Sequence, residues 1–401
     1  MSHARLTDLS NMIARCWSRA SSRLTFGPSR DRLAAARYPS RLNDMSSAQI
    51  LTVELRSGAE TIPQDWGSLA RYLARFKVTL GPEPPRQFAG GFGNLNYLVE
   101  IDGRPAVLRR PPTGSLPPGA NDMAREYRIL SSLWRAYPLA PRALFLCPET
   151  SVLGAPFQII EYRPGIVIRD TLPADLADRL EVGAALSRHL VESLAALHAV
   201  DPPQIGLETL GRPEGFLERT LDGWATRGTA VADLVNASVF TEIVTWLRRR
   251  VPEDTPPSLL HSDFKLDNMI LEPTTLAPTA VIDWDMGTRG DPLWDLAVLL
   301  TYWVEPNDPP CMHRLRQMPT EQPGFWRRRE VLAAYQRLSG RAIDDFRFYR
   351  VLSVFRSAVV FLQLFDRYRR DPGPNIRLAE FDTLGRELLH YAFDIARGRA
   401  E

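Results

Sequence analysis

His261-Ser262-Asp263-Phe264-Lys265-Leu266-Asp267-Asn268 is followed, fifteen residues after Asn268, by Asp283 in Val281-Ile282-Asp283-Trp284-Asp285. The two stretches supply one candidate base, one cation and two oxygen ligands for a metal, at the spacing used for phosphoryl transfer from ATP. Asp263 is the residue to accept or orient a proton from a substrate hydroxyl. Asn268, five residues on, can turn its amide oxygen back to a cation. Asp283 follows an apolar pair at the end of a buried strand and can bridge the same cation. Hard Mg²⁺ favours such oxygen ligands, completed by phosphates and water. Lys265 sharpens the pattern. The chain holds 49 Lys plus Arg, yet only Lys77 and Lys265 are lysine. A compact ammonium suits a single phosphate oxygen better than a wide guanidinium fork.

The rest of the motif region reads as support. His261 is expected to brace the loop through hydrogen bonds. Asp291 precedes Pro292 and reads as a helix N-cap. Asp295 points inward among apolar residues, and a buried carboxylate needs partners, so it is expected to brace the catalytic loop. His198, on an apolar face, reads as a core histidine. The direction of Asp285 is not set by the pattern.

Upstream, Gln87-Phe88-Ala89 runs into Gly90-Gly91-Phe92-Gly93-Asn94 and then Tyr97–Ile101. The glycines allow backbone N–H groups to approach phosphate closely, so Gly90, Gly91, Gly93 and Asn94 form a candidate phosphate cover. Asp102-Gly103 marks a hairpin turn before a strand over 106–109. Arg109 ends that strand as the candidate cation for the α- and β-phosphates, with Arg110 as a competing choice. Glu126, on a helix expected over 120–136, is the candidate ion-pair partner of Arg109. Residues 151–162 are expected to form two strands around Leu153-Gly154-Ala155.

Helices are expected over 47–57 and 65–76, where Trp66, Leu69, Leu73 and Phe76 share a face. After Pro164-Gly165 the pattern turns mostly helical: 174–200, 230–250, 326–339, 345–369 and 378–396, interrupted by short strands around 258–283. The expected architecture is α+β and bilobal. An Arg/Ser-rich extension (1–46) precedes a small antiparallel-sheet lobe (47–163) and a larger, mostly helical lobe (164–401), with a cleft for a nucleotide.

Composition bounds the alternatives. A chain of 401 residues with 44% hydrophobic and 24% charged residues lies outside the disordered class. A net charge of +2 argues against nucleic-acid binding by bulk charge. Cys16, Cys147 and Cys311 are odd in number and far apart, which suggests no disulfide framework and a reducing compartment. No apolar run approaches the ~18 residues of a membrane span. The stretch Val351–Phe365, broken only by Ser353, Arg356, Ser357 and Gln363, reads as core. The first 44 residues carry eight Arg against three acids. They suit a flexible extension, a start placed too early with Met45 as the true one, or a mitochondrial-type transit peptide. The expected location is cytoplasmic, or mitochondrial in the last case.

These residues resemble the aminoglycoside phosphotransferase-like superfamily, which is protein-kinase-like, from about Phe88 to the C-terminal helices. The specific parts are His261–Asn268, Ile282-Asp283-Trp284 and Gly290–Ala297. Gly90-Gly91 with Asn94-Leu95 and Tyr97, Val107–Pro112, Arg125-Glu126-Tyr127 and Leu153–Phe157 look like one subgroup. It includes the kinase-like domain fused to acyl-CoA dehydrogenases. The resemblance implies a protein-kinase-like fold, ATP with Mg²⁺, and phosphorylation of a small-molecule hydroxyl, with a hydroxy acid or hydroxyacyl-CoA as the acceptor class. It implies Asp263 as base, Asn268 and Asp283 as metal ligands, Arg109 and Glu126 as an ion pair, and backbone at Glu161, Tyr162 and Arg163 against adenine. Arg109 replaces the usual kinase Lys, Gly93 stands where relatives often carry Ser, and Asn121 where the subgroup often has His. The first two departures bear on nucleotide affinity and rate, the third on the substrate side. They motivate one alternative, a nucleotide-binding pseudokinase with a regulatory or scaffolding role. Another is an aminoglycoside or other antibiotic phosphotransferase, disfavoured because a polycation wants a dense acidic patch. A protein kinase is disfavoured because Trp284–Asp291 leads straight into a helix.

Overall fold

The computed structural model describes residues 55–58, 60–89, 93–112, 121–372 and 376–400. The N-terminal 44 residues, most of the helix expected over 47–57, and Gly90 and Gly91 lie outside them. The chain divides into two compact units.

The first unit takes the described residues of 54–114 and 143–162. Its five-stranded antiparallel sheet runs in the order β1-β2-β3-β5-β4, with β1 at Arg86–Gln87, β2 at Leu95–Ile101, β3 at Arg104–Arg110, β4 at Ala143–Cys147 and β5 at Phe157–Glu161. Asp102 (φ 49°) and Gly103 (φ 74°) make the β2–β3 turn. Two consecutive left-handed residues match the twist of a tight hairpin. The helix Trp66–Ala74 starts where the Asp65 side chain accepts from Ser68 N–H, and it buries Leu69, Tyr72 and Leu73. These pack with Tyr97, Val99, Leu108, Phe145, Phe157 and Ile159 in one apolar cluster. Each large side chain so buried contributes about 1.5–3 kcal/mol.

Two expectations fail in this unit. Residues 55–57 are not helical; Leu55 bridges Phe88 instead. Residues 151–162 hold one strand, not two. Thr150–Leu153 is a single helical turn closed by Gly154 in the left-handed region (φ 79°), and β5 pairs with β3 on one side and β4 on the other. Ala143-Leu144-Phe145-Leu146-Cys147 is apolar at every position, so it lacks the alternation that marks a half-buried strand.

The second unit takes the described residues of 115–142 and 163–401. The helix Met123–Leu133 therefore groups here, although the sequence division at 163/164 assigned it with the sheet. Long helices dominate: Leu180–His198, Phe216–Thr229, Ala237–Arg248, Arg328–Ser339, Arg347–Arg370 and Phe381–Ala396. Phe216–Thr229 was not expected. Its buried face is Leu217, Leu221, Ala225 and Gly228, and the two small residues hide the helical period. The expected helix over 230–250 is shorter, because Asn236 caps it by accepting from Ser238 and Val239 N–H. Contrary to expectation, Arg347–Arg370 is long and apolar enough, by length and composition, to cross a membrane; 78% of that apolar window is buried within the fold, as in a core helix.

Four short strands carry the motif loops: β6 (Ser258–Leu260), β7 (Met269–Leu271), β8 (Pro278–Val281) and β9 (Thr288–Gly290). β6 pairs with β9 and β7 with β8, both antiparallel. Ile166 and Leu271 exchange backbone hydrogen bonds at 2.8 and 2.9 Å. Gly165 lies so close that a Cβ there would sit 2.4 Å from the Leu271 carbonyl oxygen, so the position admits no side chain.

Candidate active site

Two loops meet in the second unit. His261–Asn268 joins β6 to β7, and Ile282–Gly287 joins β8 to β9. Met269 pairs with Val281 in the β7–β8 ladder, and Ile282 N–H donates to the Asn268 carbonyl at 2.9 Å. That register sets Asp283 one residue beyond the partner of Asn268.

The first loop hangs on Asp295, which is fully buried. Its Oδ2 accepts from His261 N–H and its Oδ1 from Ser262 N–H, each at 2.6 Å. His198 Nε2 lies 3.3 Å from Oδ2, and His198 Nδ1 lies 2.7 Å from the Tyr335 hydroxyl. His261 braces the loop as expected. Its Nε2–H donates to the Ile282 carbonyl at 2.9 Å, and its Nδ1 accepts from Asp263 N–H at 3.3 Å, a tautomer inferred from these partners. The imidazole thus ties the two loops together. Asp291 caps the Pro292–Thr301 helix by accepting from Leu293 N–H.

Two non-glycine residues adopt left-handed backbone here: Ser262 (φ 67°) and Asp283 (φ 69°). Such conformations cost about 1–3 kcal/mol each and gather at functional sites.

Asp263 is gripped from every side. Oδ2 faces Lys265 Nζ and Asn268 Nδ2, both at 3.3 Å. Oδ1 accepts from the Tyr302 hydroxyl at 3.2 Å, with Arg356 Nη2 at 3.8 Å. Burial pushes this carboxyl up, but Lys265 and Arg356 outweigh it and hold it below the ordinary value. Asp263 is therefore an ionised acceptor at neutral pH, suited to orienting a hydroxyl. Its side chain remains 20% exposed, enough for a ligand to reach it.

Lys265 also lies 3.5 Å from Asp267 Oδ2, donates to Gln317 Oε1 at 2.9 Å, and sits over the Tyr302 ring. Burial opposes its charge, but the two carboxylates prevail and keep it protonated. Burial raises Asp267 above the usual carboxylate range, against the pull of Lys265. Among the described residues Asp267 Oδ1 is buried without a hydrogen-bond partner.

Asn268 Nδ2 also donates to the Asp263 carbonyl at 2.9 Å, so its amide oxygen is the atom left for a cation. Among the described residues no three His, Cys, Asp or Glu gather into a metal cluster. A cation here would rest on Asn268 and Asp283 together with a ligand's own oxygens. A hard oxygen set of this kind, an amide oxygen and a carboxylate, fits Mg²⁺.

Glu126, fully buried, accepts from Trp284 N–H at 3.1 Å, and Arg125 donates to the Asp285 carbonyl at 3.1 Å. Both contacts hold the second loop. Arg163 donates to the Thr279 carbonyl at 3.4 Å.

In the first unit, Arg109 is buried on β3 and donates to Asn96 at 3.1 Å. Arg110 is bound inward to Gln64 and to the Leu153 carbonyl, a structural task that removes it as the competing choice. Gly93 is exposed and Asn94 buried. Glu161 ends β5, and Tyr162 follows it, buried. Arg109 and Glu126 fall in different units.

Sequence reasoning missed Tyr302, Gln317 and Met318, whose Sδ lies 3.3 Å from Leu266 N. They stand far from the motif and carry no pattern of their own. Arg356 was passed over as part of a core stretch. Its signal was present, as one cation within an apolar run.

A two-stranded ladder bearing one aspartate loop, with a second loop bearing another aspartate beside it, stands in a protein-kinase-like fold. Residues 85–340 match the phosphotransferase enzyme family, and the chain belongs to that family. It is 30% identical over 339 residues to acyl-CoA dehydrogenase family member 10 of Mus musculus, covering 84% of this chain and 31% of that protein. It is 32% identical over 323 residues to acyl-CoA dehydrogenase family member 11 of Gallus gallus, covering 76% of this chain and 40% of that one. The chain thus spans less than half the length of either relative. Among solved structures, a Ralstonia eutropha protein provisionally given as an aminoglycoside phosphotransferase aligns with TM-score 0.70 and 23% identity, over 84% of this chain and 99% of that one. Choline kinase from Cryptosporidium parvum aligns with TM-score 0.54 and 10% identity, over 83% and 96%. At such identities the likeness is one of fold.

Proposed function

We propose that this protein transfers the γ-phosphoryl group of ATP, with Mg²⁺, to a hydroxyl of a small molecule. The observation that carries the reading is the Asp263 carboxylate: ionised, part-exposed, and held by Lys265 and Asn268 in one loop. Asp263 orients the acceptor hydroxyl and takes its proton. Lys265 stands ready for a phosphate oxygen, and Asn268 and Asp283 are the proposed Mg²⁺ ligands. Mg²⁺, when bound, supplies charge neutralisation for the phosphates. In the first unit, Gly93, Asn94 and Arg109 are proposed to serve the phosphates, together with Gly90 and Gly91. Backbone at Glu161–Arg163 is proposed to meet adenine, and Glu126 to support the second loop.

Within this reading a hydroxy acid or hydroxyacyl-CoA is the favoured acceptor. Two relatives carry acyl-CoA dehydrogenase in their names. Two cations, Lys265 and Arg356, flank Asp263, an unfavourable neighbourhood for a polycationic antibiotic. The test is ATP consumption with Mg²⁺ against hydroxy acids, hydroxyacyl-CoA thioesters, amino alcohols and aminoglycosides, with Asp263→Asn as control. Turnover with an acid or thioester, lost in the variant, supports the proposal. Turnover confined to aminoglycosides refutes the acceptor class. Tight Mg²⁺-ATP binding with no transfer to any class favours a pseudokinase.

A further inference from the structure

The four hydrogen-bonding positions of the Asp263 carboxylate are not equally occupied. Each oxygen offers two. Oδ2 has both taken, by Lys265 Nζ and Asn268 Nδ2 at 3.3 Å. Oδ1 has one taken, by Tyr302 at 3.2 Å. Arg356 Nη2, at 3.8 Å, is beyond hydrogen-bond reach. Among the described residues one position on Oδ1 therefore stays open.

The neighbours of Oδ1 are held in turn. Arg356 Nη1 lies 3.4 Å from the Tyr302 hydroxyl. A guanidinium can only donate, so the Tyr302 oxygen accepts from it and turns its own proton onto Oδ1. Arg356 Nη2 also reaches the Ser262 carbonyl at 3.5 Å, beside the strained residue that precedes Asp263. The guanidinium itself stands over the Trp224 ring, 5.7 Å from its centroid, within the range of a cation–π attraction. Tyr302 follows the Pro292–Thr301 helix and Arg356 lies in Arg347–Arg370, so two core helices define this corner.

We propose that the acceptor hydroxyl donates to Asp263 Oδ1, in the corner bounded by Tyr302 and Arg356, and that these two are positioning residues which make Oδ1 the reacting oxygen. The inference rests on the phosphotransferase reading. In the step, the acceptor O–H bond breaks and its proton passes to Oδ1. The acceptor oxygen bonds to the γ-phosphorus. The bond from that phosphorus to the β–γ bridging oxygen breaks, and its electron pair leaves on ADP.

The test needs no knowledge of the natural acceptor, because water and glycerol both present a hydroxyl. Mg²⁺-ATP turnover with each is measured on the full chain for wild type, Tyr302→Phe, Arg356→Gln and Arg356→Lys. Tyr302→Phe and Arg356→Gln are expected to lower kcat about 10- to 100-fold, the scale of a misplaced reacting group. The KM for ATP should stay within about twofold, since the lost contacts act on the acceptor and not on the nucleotide. Arg356→Lys should recover much of the loss, because an ammonium can still donate to Tyr302. Should Arg356→Gln fail to fold, the near-isosteric Tyr302→Phe carries the test alone. An unchanged kcat in Tyr302→Phe, or a rise in ATP KM equal to the fall in kcat, overturns the proposal. A wild type that turns over no ATP with water, glycerol or any member of the acceptor panel refutes the phosphotransferase reading itself, and this inference falls with it.

Discussion

Asp295 Oδ1 accepts the backbone N–H of Ser262 at 2.6 Å, across 33 residues of sequence. The contact pins a residue in the left-handed region immediately before Asp263. The second oxygen accepts from His261 N–H, so one buried carboxylate sets the entry to the loop that bears Asp263.

Asp295→Asn keeps the shape but replaces one acceptor by a donor that faces a backbone N–H. Loss of charge-assisted bonds at a buried site should cost about 2–3 kcal/mol. Urea unfolding measures this directly. A loss under about half that value would mean the loop is held by other contacts.

Asp263→Asn removes the proton acceptor and leaves the loop's shape. Phosphoryl transfer should fall by roughly 10²- to 10⁴-fold with ATP affinity retained. Asp283→Ala should act differently, raising the Mg²⁺ needed for half-maximal turnover by roughly tenfold or more. Steady-state kinetics at varied Mg²⁺ separates the two; an unchanged Mg²⁺ requirement in Asp283→Ala would move the cation elsewhere.

Ser262→Gly relieves the left-handed backbone at that position (φ 67°). Relief of about 1–2 kcal/mol is offset by about 0.4–1 kcal/mol of extra unfolded-state entropy. A small net gain in stability is expected by thermal or urea unfolding, with transfer activity kept. A loss of stability would show that the Ser262 side chain carries an unrecognised contact.

Glu321 gives a pH signature. Burial pushes its carboxyl up, but hydrogen bonds from His313 and Arg316 outweigh that and hold it below 4.5. Well above pH 4.5 the carboxylate is ionised in both folded and unfolded chains, and its stabilisation is complete. As pH falls below 4.5 the unfolded chain takes up the proton first, so stability drops and the contribution is gone below the folded value. Glu321→Gln should therefore be less stable than wild type at neutral pH, with the gap closing on acidification. Unfolding midpoints between pH 7 and 3 check this; a constant gap would exclude the ion pair as its cause.

The motif residues were legible because phosphoryl transfer demands particular residue types at short, regular spacing. His261–Asn268 and Asp283 stand within 23 positions, and local loops deliver them. Asp291 and Asp295 were legible for similar reasons, as a cap before proline and a carboxylate among apolar neighbours. The Ala143–Cys147 strand was not, because an all-apolar segment has no period. Nor was the Phe216–Thr229 helix, where Ala225 and Gly228 occupy buried positions usually marked by larger residues.

The sequence by itself determined the family of the chain and the loop that bears Asp263. Only the tertiary structure decided how that loop is held and which oxygen of Asp263 stays open. Lys265 lies two residues from Asp263, so covalent proximity makes their contact nearly unavoidable. Tyr302, Gln317 and Arg356 lie 39 to 93 positions away along the chain. Packing of the Pro292–Thr301 and Arg347–Arg370 helices brings Tyr302 and Arg356 to the site, Gln317 arrives just past the short Pro310–Leu315 helix, and no local pattern encodes a contact made by packing at that distance.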